Sequence, residues 1–200
     1  MSKRQELFNQ AAENWDREYD NPKLQSFLKR FVPSLGLEAG QSVLDVGTGT
    51  GVLVPFLSKA VGSTGHITAI DYAQRMVGIC KTKYAHLPNV VVKIGDAENL
   101  QFSAASFNAV TCFGVFPHLA NKEDALNQFH RVLKPKGKLI IAHALSSAEI
   151  RRHHQNAPSL IANDVLPDET GMRELLGQAG FTEIQILDAP GCYLCTSVKP

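Results

Sequence analysis

The sequence of 200 residues has few cysteines, almost no net charge and no long apolar run. It contains four cysteines, and its 20 Lys and Arg balance 19 Asp and Glu, for a net charge of +1. It has no apolar run near the roughly 18 residues that a membrane span requires, and no shorter apolar core of a signal peptide. The balanced charge argues against a dedicated binder of nucleic acid or anionic membranes. We therefore expect a cytoplasmic protein that binds no nucleic acid and does not insert into a membrane.

The few cysteines fit a reducing compartment, where Cys80, Cys112, Cys192 and Cys195 are expected to be buried as small apolar residues. Only Cys192 and Cys195 form a Cys-x-x-Cys pair, and no second pair or His-x-x-x-His motif completes a tetrahedral zinc site. In a strand, side chains three positions apart point to opposite faces. We expect packing roles for this pair and no bound metal.

The residues that are present belong to an ordinary globular protein, since 44% are apolar, with 15 Gly and 10 Pro. This length suits one domain, so residues 1–200 are interpreted as a single domain. Between Gln41 and His143, short β-branched runs alternate with helical patterns, which is typical of βαβ units. Their nearly continuous apolar character indicates strands covered on both faces. The predicted parallel strands are residues 42–46, 66–70, 90–94, 108–112 and 138–142.

The remaining segments are predicted to surround this core of residues 41–143. Residues 1–40 are predicted to be helical and are rich in aromatic residues, and residues 144–180 form an insertion with two helices. Residues 182–187 and 193–198 are joined so closely that they are expected to be antiparallel strands. The predicted fold class is therefore α/β, with a doubly wound, mostly parallel seven-stranded Rossmann-like sheet and an antiparallel carboxyl-terminal strand.

Helix ends give further predictions. Asn121 caps a helix whose apolar spacing continues to Leu133 and which Pro135 stops. Ser146, with a Glu three residues later, forms the capping box of one helix in the insertion. Gly180 ends the other in a left-handed conformation.

The most informative segment is the loop after the first predicted strand, Gly47-Thr48-Gly49-Thr50-Gly51, which leads into a helix that begins near Val52. Three alternating glycines let the backbone approach a ligand closely, and the start of the helix offers N–H groups to an anion. We therefore expect a nucleotide-like cofactor.

Two features separate this loop from the common phosphate-binding loops. Val52 takes the place of the third glycine of a dinucleotide fingerprint, and no Gly-Lys-Ser/Thr follows as in a P-loop. Asp45 stands at the end of the preceding strand, where its carboxylate would repel a pyrophosphate but suits a positively charged ligand. An NAD-dependent Rossmann oxidoreductase is therefore disfavoured and is kept as an alternative.

In these residues the sequence resembles the class I S-adenosylmethionine-dependent methyltransferases, whose first motif has this acidic residue and glycine pattern. That cofactor carries an ammonium, a sulfonium and a carboxylate, so an acid and a helix N-terminus both suit it. Residues 8–16 are similar to the ubiquinone and menaquinone biosynthesis subgroup, the type 11 methyltransferases. The resemblance runs from about residue 8 to residue 200, and its specific motifs lie between residues 43 and 143. It implies an enzyme that transfers a methyl group from S-adenosyl-L-methionine to a small-molecule acceptor by direct displacement.

The resemblance also implies the cofactor contacts. Asp71, at the end of the second strand, would accept both ribose hydroxyls, and Met76 would pack on the adenine. Asp96 would accept from the adenine amino group, and the backbone N–H of Ala97 would donate to the ring. The expected cofactor-binding residues are Asp45, Gly47, Thr48, Gly49, Gly51, Asp71, Tyr72, Met76, Asp96, Ala97, Cys112 and Phe113.

The residues on the acceptor side are less determined. A phenol, amine or enolisable carbon needs a base nearby, and the candidate catalytic residues are His118, after the fourth strand, and His143, at the end of the fifth. Trp15 and Tyr19 are amphipathic aromatics that suit a lid over the cofactor. The sequence does not determine which histidine is the base, which acceptor is methylated or what the oligomeric state is.

The insertion contributes further candidates on the substrate side, namely Arg151, His153 and His154. Arg151 suits an anionic group of the acceptor. Adjacent histidines on a helix project about 100° apart, whereas chelating pairs are spaced by three or four residues. No metal is therefore expected, although a broken helix or ligands from elsewhere in the chain would allow this pair to bind one, and the sequence leaves that open. A protein that binds S-adenosylmethionine without catalysing a reaction is the second alternative.

Overall fold

The computed structural model of this protein describes residues 2–19 and 21–200, except for the side chains of Glu18 and Tyr19. Its strands form a seven-stranded, mostly parallel sheet in the order β3-β2-β1-β4-β5-β7-β6, in which β7 is antiparallel to β5 and β6. Helices flank the strands, so the predicted α/β class and the antiparallel carboxyl-terminal strand are confirmed. The chain divides into two compact units, residues 1–96 and residues 97–200.

The amino-terminal unit consists of three parallel strands and four helices. Strands β1 and β2 pair in parallel, as do β2 and β3, and β1 is buried along almost its whole length. This burial explains the continuous apolar run that indicates such a strand in the sequence. The elements of the unit are α1 (Lys3–Tyr19), α2 (Pro22–Ser34), β1 (Ser42–Val46), α3 (Val54–Val61), β2 (His66–Asp71), α4 (Gln74–Lys83) and β3 (Val90–Ile94).

The predicted helical character of residues 1–40 corresponds to α1 and α2. Asn21 separates the two helices, because its side-chain oxygen accepts hydrogen bonds from the backbone N–H groups of Lys23 at 3.1 Å and Leu24 at 3.0 Å. Pro22 follows in the first turn, where a missing N–H costs nothing. Helix α1 packs on α4, and α2 packs on α3.

The carboxyl-terminal unit consists of four strands, three helices and a 3₁₀ turn. Strands β4 and β5 are parallel, and β7 pairs with both β5 and β6. The elements of the unit are β4 (Phe107–Phe113), the 3₁₀ turn (Phe116–His118), α5 (Lys122–Val132), β5 (Leu133–His143), α6 (Ser147–Gln155), α7 (Glu169–Gln178), β6 (Thr182–Ala189) and β7 (Cys192–Val198).

The end of α5 differs from the sequence prediction. Asn121 caps the helix as expected and accepts from the backbone N–H of Asp124 at 3.1 Å, but the helix ends at Val132 and does not include Leu133. Leu133 instead begins β5 and pairs with Phe107. Its side chain is buried as part of the sheet and not as part of the apolar face of α5. The fifth strand therefore starts five residues before its predicted beginning at Lys138.

The other predicted helix ends in this unit are confirmed. Ser146 and Glu149 form the capping box of α6, with the backbone N–H of Ser146 donating to the Glu149 carboxylate at 2.8 Å. A further backbone N–H, from Gly191, donates to the same carboxylate at 2.8 Å, and these bonds lower the pKa of Glu149 to about 2. Gly180 follows α7 with φ +87°. The capping box thus also fixes the turn between β6 and β7.

Three of the four cysteines are buried as predicted, and Cys192 is the exception. All four are free thiols, of which Cys80, Cys112 and Cys195 are buried and Cys192 is half-buried. Burial raises the pKa of Cys195 to about 12, so its thiol stays neutral. Over residues 2–19 and 21–200, no helix combines the length and apolar character needed to cross a membrane.

Buried His143 should make the folded protein sensitive to acid. Burial and the charges of His118 and His154 lower its pKa from 6.5 to about 3, so between these values only the unfolded chain takes up the proton. Above pH 6.5, His143 is neutral in both states and does not lower the free energy of unfolding. As pH falls from 6.5 towards 3, protonation of His143 in the unfolded chain lowers the free energy of unfolding. The free energy of unfolding should fall by about 2 kcal/mol more from pH 7 to pH 5 in the wild type than in His143→Gln, at about 1.4 kcal/mol per pH unit. Urea denaturation of both proteins at the two pH values measures this, and equal losses would contradict the assignment.

Candidate active site

Two buried carboxylates stand at the carboxyl ends of neighbouring strands. Asp45 is 1% exposed and lies one residue before the end of β1, and Asp71 is 7% exposed and ends β2. Val46 of β1 pairs with Ile70 of β2, so the two strand ends meet at one edge of the sheet. This is the edge of an open α/β sheet at which ligands bind. The structure thus brings together the two acids that the sequence singled out.

The glycine loop adopts a backbone conformation that explains its residue types. Gly47, Gly49 and Gly51 have φ values of +66°, +55° and +89°, which are left-handed conformations that other residues rarely adopt. At Gly51 a Cβ atom would also lie only 2.6 Å from the Cys80 sulfur. Gly51 is therefore needed for the packing of the loop on α4.

Helix α3 begins at Val54, so the prediction of a start near Val52 is wrong by two residues. A turn occupies the positions between the loop and the helix, and Pro55 lies in the first turn of α3, where its fixed φ favours initiation. The loop is tied to β2, because the backbone N–H of Thr48 donates to the carbonyl of Ile70 at 2.9 Å. The loop therefore lies directly against the strand that carries Asp71.

Asp71 is the centre of a small backbone network. One carboxylate oxygen accepts from the N–H of Gly49 at 2.9 Å, and the other accepts from the N–H of Ala73 at 2.8 Å. Burial raises the pKa of Asp71, and the N–H groups of Ala73, Gly49 and Tyr72 partly oppose that shift. Each carboxylate oxygen keeps further lone-pair capacity. The group is thus fixed in orientation and can still accept from a ligand hydroxyl.

Helix α1 lies beside the glycine loop within the same unit. Met76 is 1% exposed and packs in a cluster with Ala12 and Ala73, which Phe8, Trp15, Tyr72 and Ile79 border. The Trp15 ring meets the Phe8 ring edge-on at 6.0 Å, and its Nε1 would lie 3.6 Å from a Cβ atom added at Gly49. This arrangement gives Tyr72 and Met76 an aromatic and apolar setting next to Asp71. It also places Trp15 beside the loop, whereas the side chain of Tyr19 lies outside the described part of the chain.

Polar contacts attach α1 to this loop as well. The carboxylate of Asp16 accepts from the Thr50 hydroxyl, and its other oxygen pairs with the Lys83 ammonium at 2.9 Å. Gln5 donates to the carbonyl of Tyr72 at 2.6 Å. Neither Asp16 nor Lys83 was predicted from the sequence. An acidic residue one position after Trp15 and a Lys in the last turn of α4 are common on solvated helices, so no pattern in the sequence pointed to them.

The remaining predicted cofactor residues are distributed over both units. In the amino-terminal unit, Asp96 follows β3 and is exposed. In the carboxyl-terminal unit, Ala97 is 8% exposed, and Cys112 and Phe113 end β4, with Cys112 fully buried and Phe113 half-buried. Their positions at strand ends follow the prediction, and their contacts with a cofactor stay predictions.

The candidate bases lie in one cluster of the carboxyl-terminal unit. His118 Nδ1 is 2.7 Å from a carboxylate oxygen of Asp164, and the His118 and His154 rings are 4.8 Å apart. His143 is 7% exposed and meets the Tyr193 ring edge-on at 6.4 Å. Asp164 and Tyr193 were not predicted from the sequence, because neither belongs to a motif. These two residues are identified as members of the cluster only by their contacts with histidines in the structure.

The three substrate-side candidates of α6 separate by burial. His154 is 6% exposed, whereas Arg151 and His153 are exposed. A 100° rotation per residue accounts for this difference between the adjacent histidines. In the part of the chain that the structure describes, no group of three or more His, Cys, Asp or Glu is arranged to hold a metal ion.

The chemistry of the amino-terminal site fits S-adenosylmethionine better than a dinucleotide. Asp71 offers a fixed carboxylate for hydroxyl donors, and Asp45 offers negative charge next to a glycine loop. A pyrophosphate placed at this loop would face both carboxylates, whereas an ammonium or sulfonium would be attracted to them. This donor set therefore suits a ligand with hydroxyl groups and positive charge.

Comparison with known proteins supports this interpretation. The sequence profile of a family described as methyltransferase domain matches residues 43–137. A demethylmenaquinone methyltransferase of Staphylococcus aureus (strain MRSA252) is 43% identical over 116 residues, which are 56% of this chain and 46% of that protein. The same enzyme from strain JH9 is 42% identical over the same extent. The chain thus spans about half the length of the curated relatives it matches.

Solved structures extend the similarity beyond the matched core. A methyltransferase dependent on S-adenosylmethionine from Aquifex aeolicus is 25% identical, with a TM-score of 0.75 over 92% of this chain and 96% of that one. A phosphoethanolamine N-methyltransferase of Haemonchus contortus shares the fold with a TM-score of 0.73 at 15% identity, over 88% of this chain and 52% of that one. Together with the glycine loop and its two acids, these matches show that the chain is similar to S-adenosylmethionine-dependent methyltransferases in sequence and in fold.

Proposed function

We propose that this protein transfers a methyl group from S-adenosylmethionine to a small-molecule acceptor. The observation that carries the proposal is the pair of buried carboxylates, Asp45 and Asp71, on either side of a glycine loop in a left-handed conformation. When bound, the cofactor supplies an electrophilic methyl group on a sulfonium, with a neutral thioether as the leaving group. The protein then has to bind the cofactor and the acceptor, orient them for in-line transfer and exclude water. No covalent enzyme nucleophile is required.

The residues of the site divide these tasks. Asp71 accepts the ribose hydroxyls, and its two backbone hydrogen bonds hold the carboxylate in place before the ligand arrives. Asp45 stabilises the positive charge of the methionine part of the cofactor. Met76 and Tyr72 provide the apolar surface for the adenine, while Asp96 and the N–H of Ala97 recognise its edge. Cys112 and Phe113 line the path of the methyl group.

Two segments select the acceptor in this proposal. Helix α1, which Asp16 holds to Thr50 of the loop and to Lys83 of α4, covers the cofactor with Trp15 and excludes water. The insertion of residues 144–180 brings His154 and Asp164 to the histidine cluster. Residues 1–200 act as one catalytic domain, with residues 41–143 as the cofactor-binding core.

The relatives suggest a class of acceptor. The two curated relatives are demethylmenaquinone methyltransferases, and the methyltransferase-domain profile lies within the cofactor core of residues 41–143. A quinol is small and partly apolar, which suits the apolar segment after β4 and the net charge of +1. We therefore propose a quinol or a related phenol as the acceptor and no nucleic acid.

Ligand preference is the first test of this function. S-adenosylhomocysteine should raise the melting temperature of the protein, because a ligand that binds only the folded state stabilises it, by about 2.7 kcal/mol at 100 times its Kd. NADH at the same concentration should leave the melting temperature unchanged, because Asp45 opposes a pyrophosphate. Differential scanning fluorimetry measures both. Stabilisation by NADH alone would show an oxidoreductase and overturn the proposal.

Replacement of Asp71 tests the ribose contact. Asp71→Ala should weaken S-adenosylhomocysteine binding about 100-fold, because hydrogen bonds to a charged group contribute about 1.5–3 kcal/mol each and 1.4 kcal/mol is tenfold. Isothermal titration calorimetry gives the Kd, and circular dichroism checks the fold. Glu38→Ala removes an exposed carboxylate of the same unit and should bind like the wild type. An unchanged Kd for Asp71→Ala would refute the ribose assignment.

Turnover separates an enzyme from a binding protein. Incubation with S-adenosylmethionine and 1,4-naphthohydroquinone under anaerobic conditions should yield S-adenosylhomocysteine and a methylated product, both of which mass spectrometry detects. Catechol and a primary amine serve as competing acceptors. Tight cofactor binding without product from any of them would favour the protein that binds the cofactor without catalysis.

A further inference from the structure

The carboxyl-terminal unit holds buried polar side chains that the cofactor assignment does not use. His118 lies five residues after the end of β4, and His143 ends β5. Residues of these two strand ends are paired in the sheet, so both histidines lie at the carboxyl edge of this unit. His154 of α6 and Asp164, from the segment between α6 and α7, pack onto the same place. This is the edge at which an acceptor is expected in an open α/β sheet.

Asp164 holds two imidazoles at once. Its carboxylate accepts from Nδ1 of His118 at 2.7 Å, and its backbone carbonyl accepts from Nδ1 of His154. The side chains of His118 and Asp164 are 11% and 7% exposed. With the proton on Nδ1, the lone pair of each neutral ring is on Nε2. The protein has therefore fixed both the tautomer and the orientation of His118.

This pairing is the one that a base requires. A carboxylate that binds Nδ1 of a histidine orients the ring and stabilises the imidazolium formed when Nε2 takes a proton. Burial alone would not favour a carboxylate here, because a desolvated charge costs free energy unless it is paired. The pairing with His118 therefore offsets the cost of burying the Asp164 carboxylate.

The second candidate base, His143, is unsuited to the task. Burial and the charges of His118 and His154 lower its pKa to about 3, so its imidazole has little affinity for a proton near neutral pH. In the described part of the chain, its Nε2 and the hydroxyl of Tyr193 are buried without a hydrogen-bond partner. These two atoms suit hydrogen bonding to a polar group of the acceptor and not proton transfer.

We propose that His118 is the catalytic base that takes the proton of an acceptor hydroxyl, and that Asp164 is the residue that positions it. The inference rests on the proposed function and names the base and the acceptor group of the same reaction. The acceptor O–H bond breaks and its proton bonds to Nε2. The electron pair released on oxygen forms the new bond to the methyl group, at the oxygen or at the ring carbon conjugated with it. The methyl–sulfur bond breaks with its electron pair left on sulfur.

The proton balance is the same for both positions of attack. After attack through oxygen, the imidazolium of His118 returns its proton to water. After attack through carbon, the hydrogen of that ring carbon leaves as a proton and the oxygen is protonated again. One proton is released for each methyl group, and no oxidant or reductant is needed.

The charges around His118 determine the expected pH dependence. Asp164 faces it from the insertion, His154 from α6 and His143 from β5. Lys122 of α5 lies close by, since its ammonium donates to the carbonyls of Pro117 and Leu119 at 3.2 and 3.1 Å. The carboxylate favours the imidazolium, whereas the Lys122 ammonium opposes it. The rate should therefore fall at acid pH as His118 becomes protonated.

The test compares His118→Ala and Asp164→Asn with the wild type, using 1,4-naphthohydroquinone as acceptor across a pH series. His118→Ala should lower kcat at least about 100-fold, and added imidazole should restore roughly tenfold of that loss. Asp164→Asn should lower kcat and move the acid limb of the pH–rate profile to lower pH, because the carboxylate no longer favours the imidazolium. His86→Gln, an exposed histidine of the amino-terminal unit, is the matched control and should keep the wild-type rate.

Binding of S-adenosylhomocysteine, measured by calorimetry, separates the two proposals. Failure of the wild type to bind it refutes the proposed function itself. Retained binding in His118→Ala with a wild-type rate overturns the base. A lower melting temperature of Asp164→Asn with an unshifted pH profile also overturns it and leaves the pair as a structural link.

A second readout applies if the wild type binds the cofactor product but does not methylate naphthohydroquinone. In the complex with S-adenosylhomocysteine, 4-nitrophenol should become nitrophenolate at a pH below its own pKa, and its visible absorbance should rise. His118→Ala should abolish this rise. An absorbance that stays unchanged in the wild type, or that rises equally in the variant, overturns the assignment.

Discussion

The hydrogen bond between the N–H of Gly49 and the carboxylate of Asp71 is the interaction on which the candidate cofactor site depends. It joins the glycine loop after β1 to the end of β2, and the parallel pairing of the two strands brings these groups within reach. The left-handed φ of Gly49 turns the N–H towards the acid. Burial raises the pKa of Asp71, so its ionised form depends on these backbone donors. The same carboxylate thus stabilises the loop and remains an acceptor for a ligand.

Helix α1 adds a second layer to this arrangement. Asp16 binds the loop through Thr50 and binds α4 through Lys83, while Trp15 packs next to the loop glycines. The amino-terminal unit is therefore held by contacts between groups far apart in the sequence. Such contacts allow a helix to cover a site whose own residues come from β1, β2 and their loops.

In the carboxyl-terminal unit, three histidines lie in one cluster and differ in their surroundings. His143 is held neutral by burial, and His118 and His154 share Asp164 as their partner. Identical side chains therefore have different chemistry within one cluster. This difference assigns the proton transfer to His118 in our proposal and leaves His143 as a neutral polar group at the end of β5.

Local patterns in the sequence predicted most of the fold correctly. Strands β1 and β3 have their predicted bounds, and the caps at Asn121 and Ser146 stand where the motifs place them. Asp45 and three glycines indicate a nucleotide-like ligand with positive charge, and the resemblance to the S-adenosylmethionine-dependent methyltransferases in these residues and Asp71 indicates the class of cofactor. Leu133 shows the limit of such patterns, since an apolar residue at helical spacing also fits the start of a strand.

What the sequence by itself determined was the α/β fold, the cofactor loop and the two acids beside it. Only the tertiary structure decided that Asp16 ties α1 to the loop, that Asp164 binds His118, and that His143 is buried without a charge. Backbone conformation and helix capping depend on neighbours within a few positions, so they can be predicted from the sequence. Desolvation and ion pairing depend on groups such as His118 and Asp164, 46 positions apart, that only folding brings together.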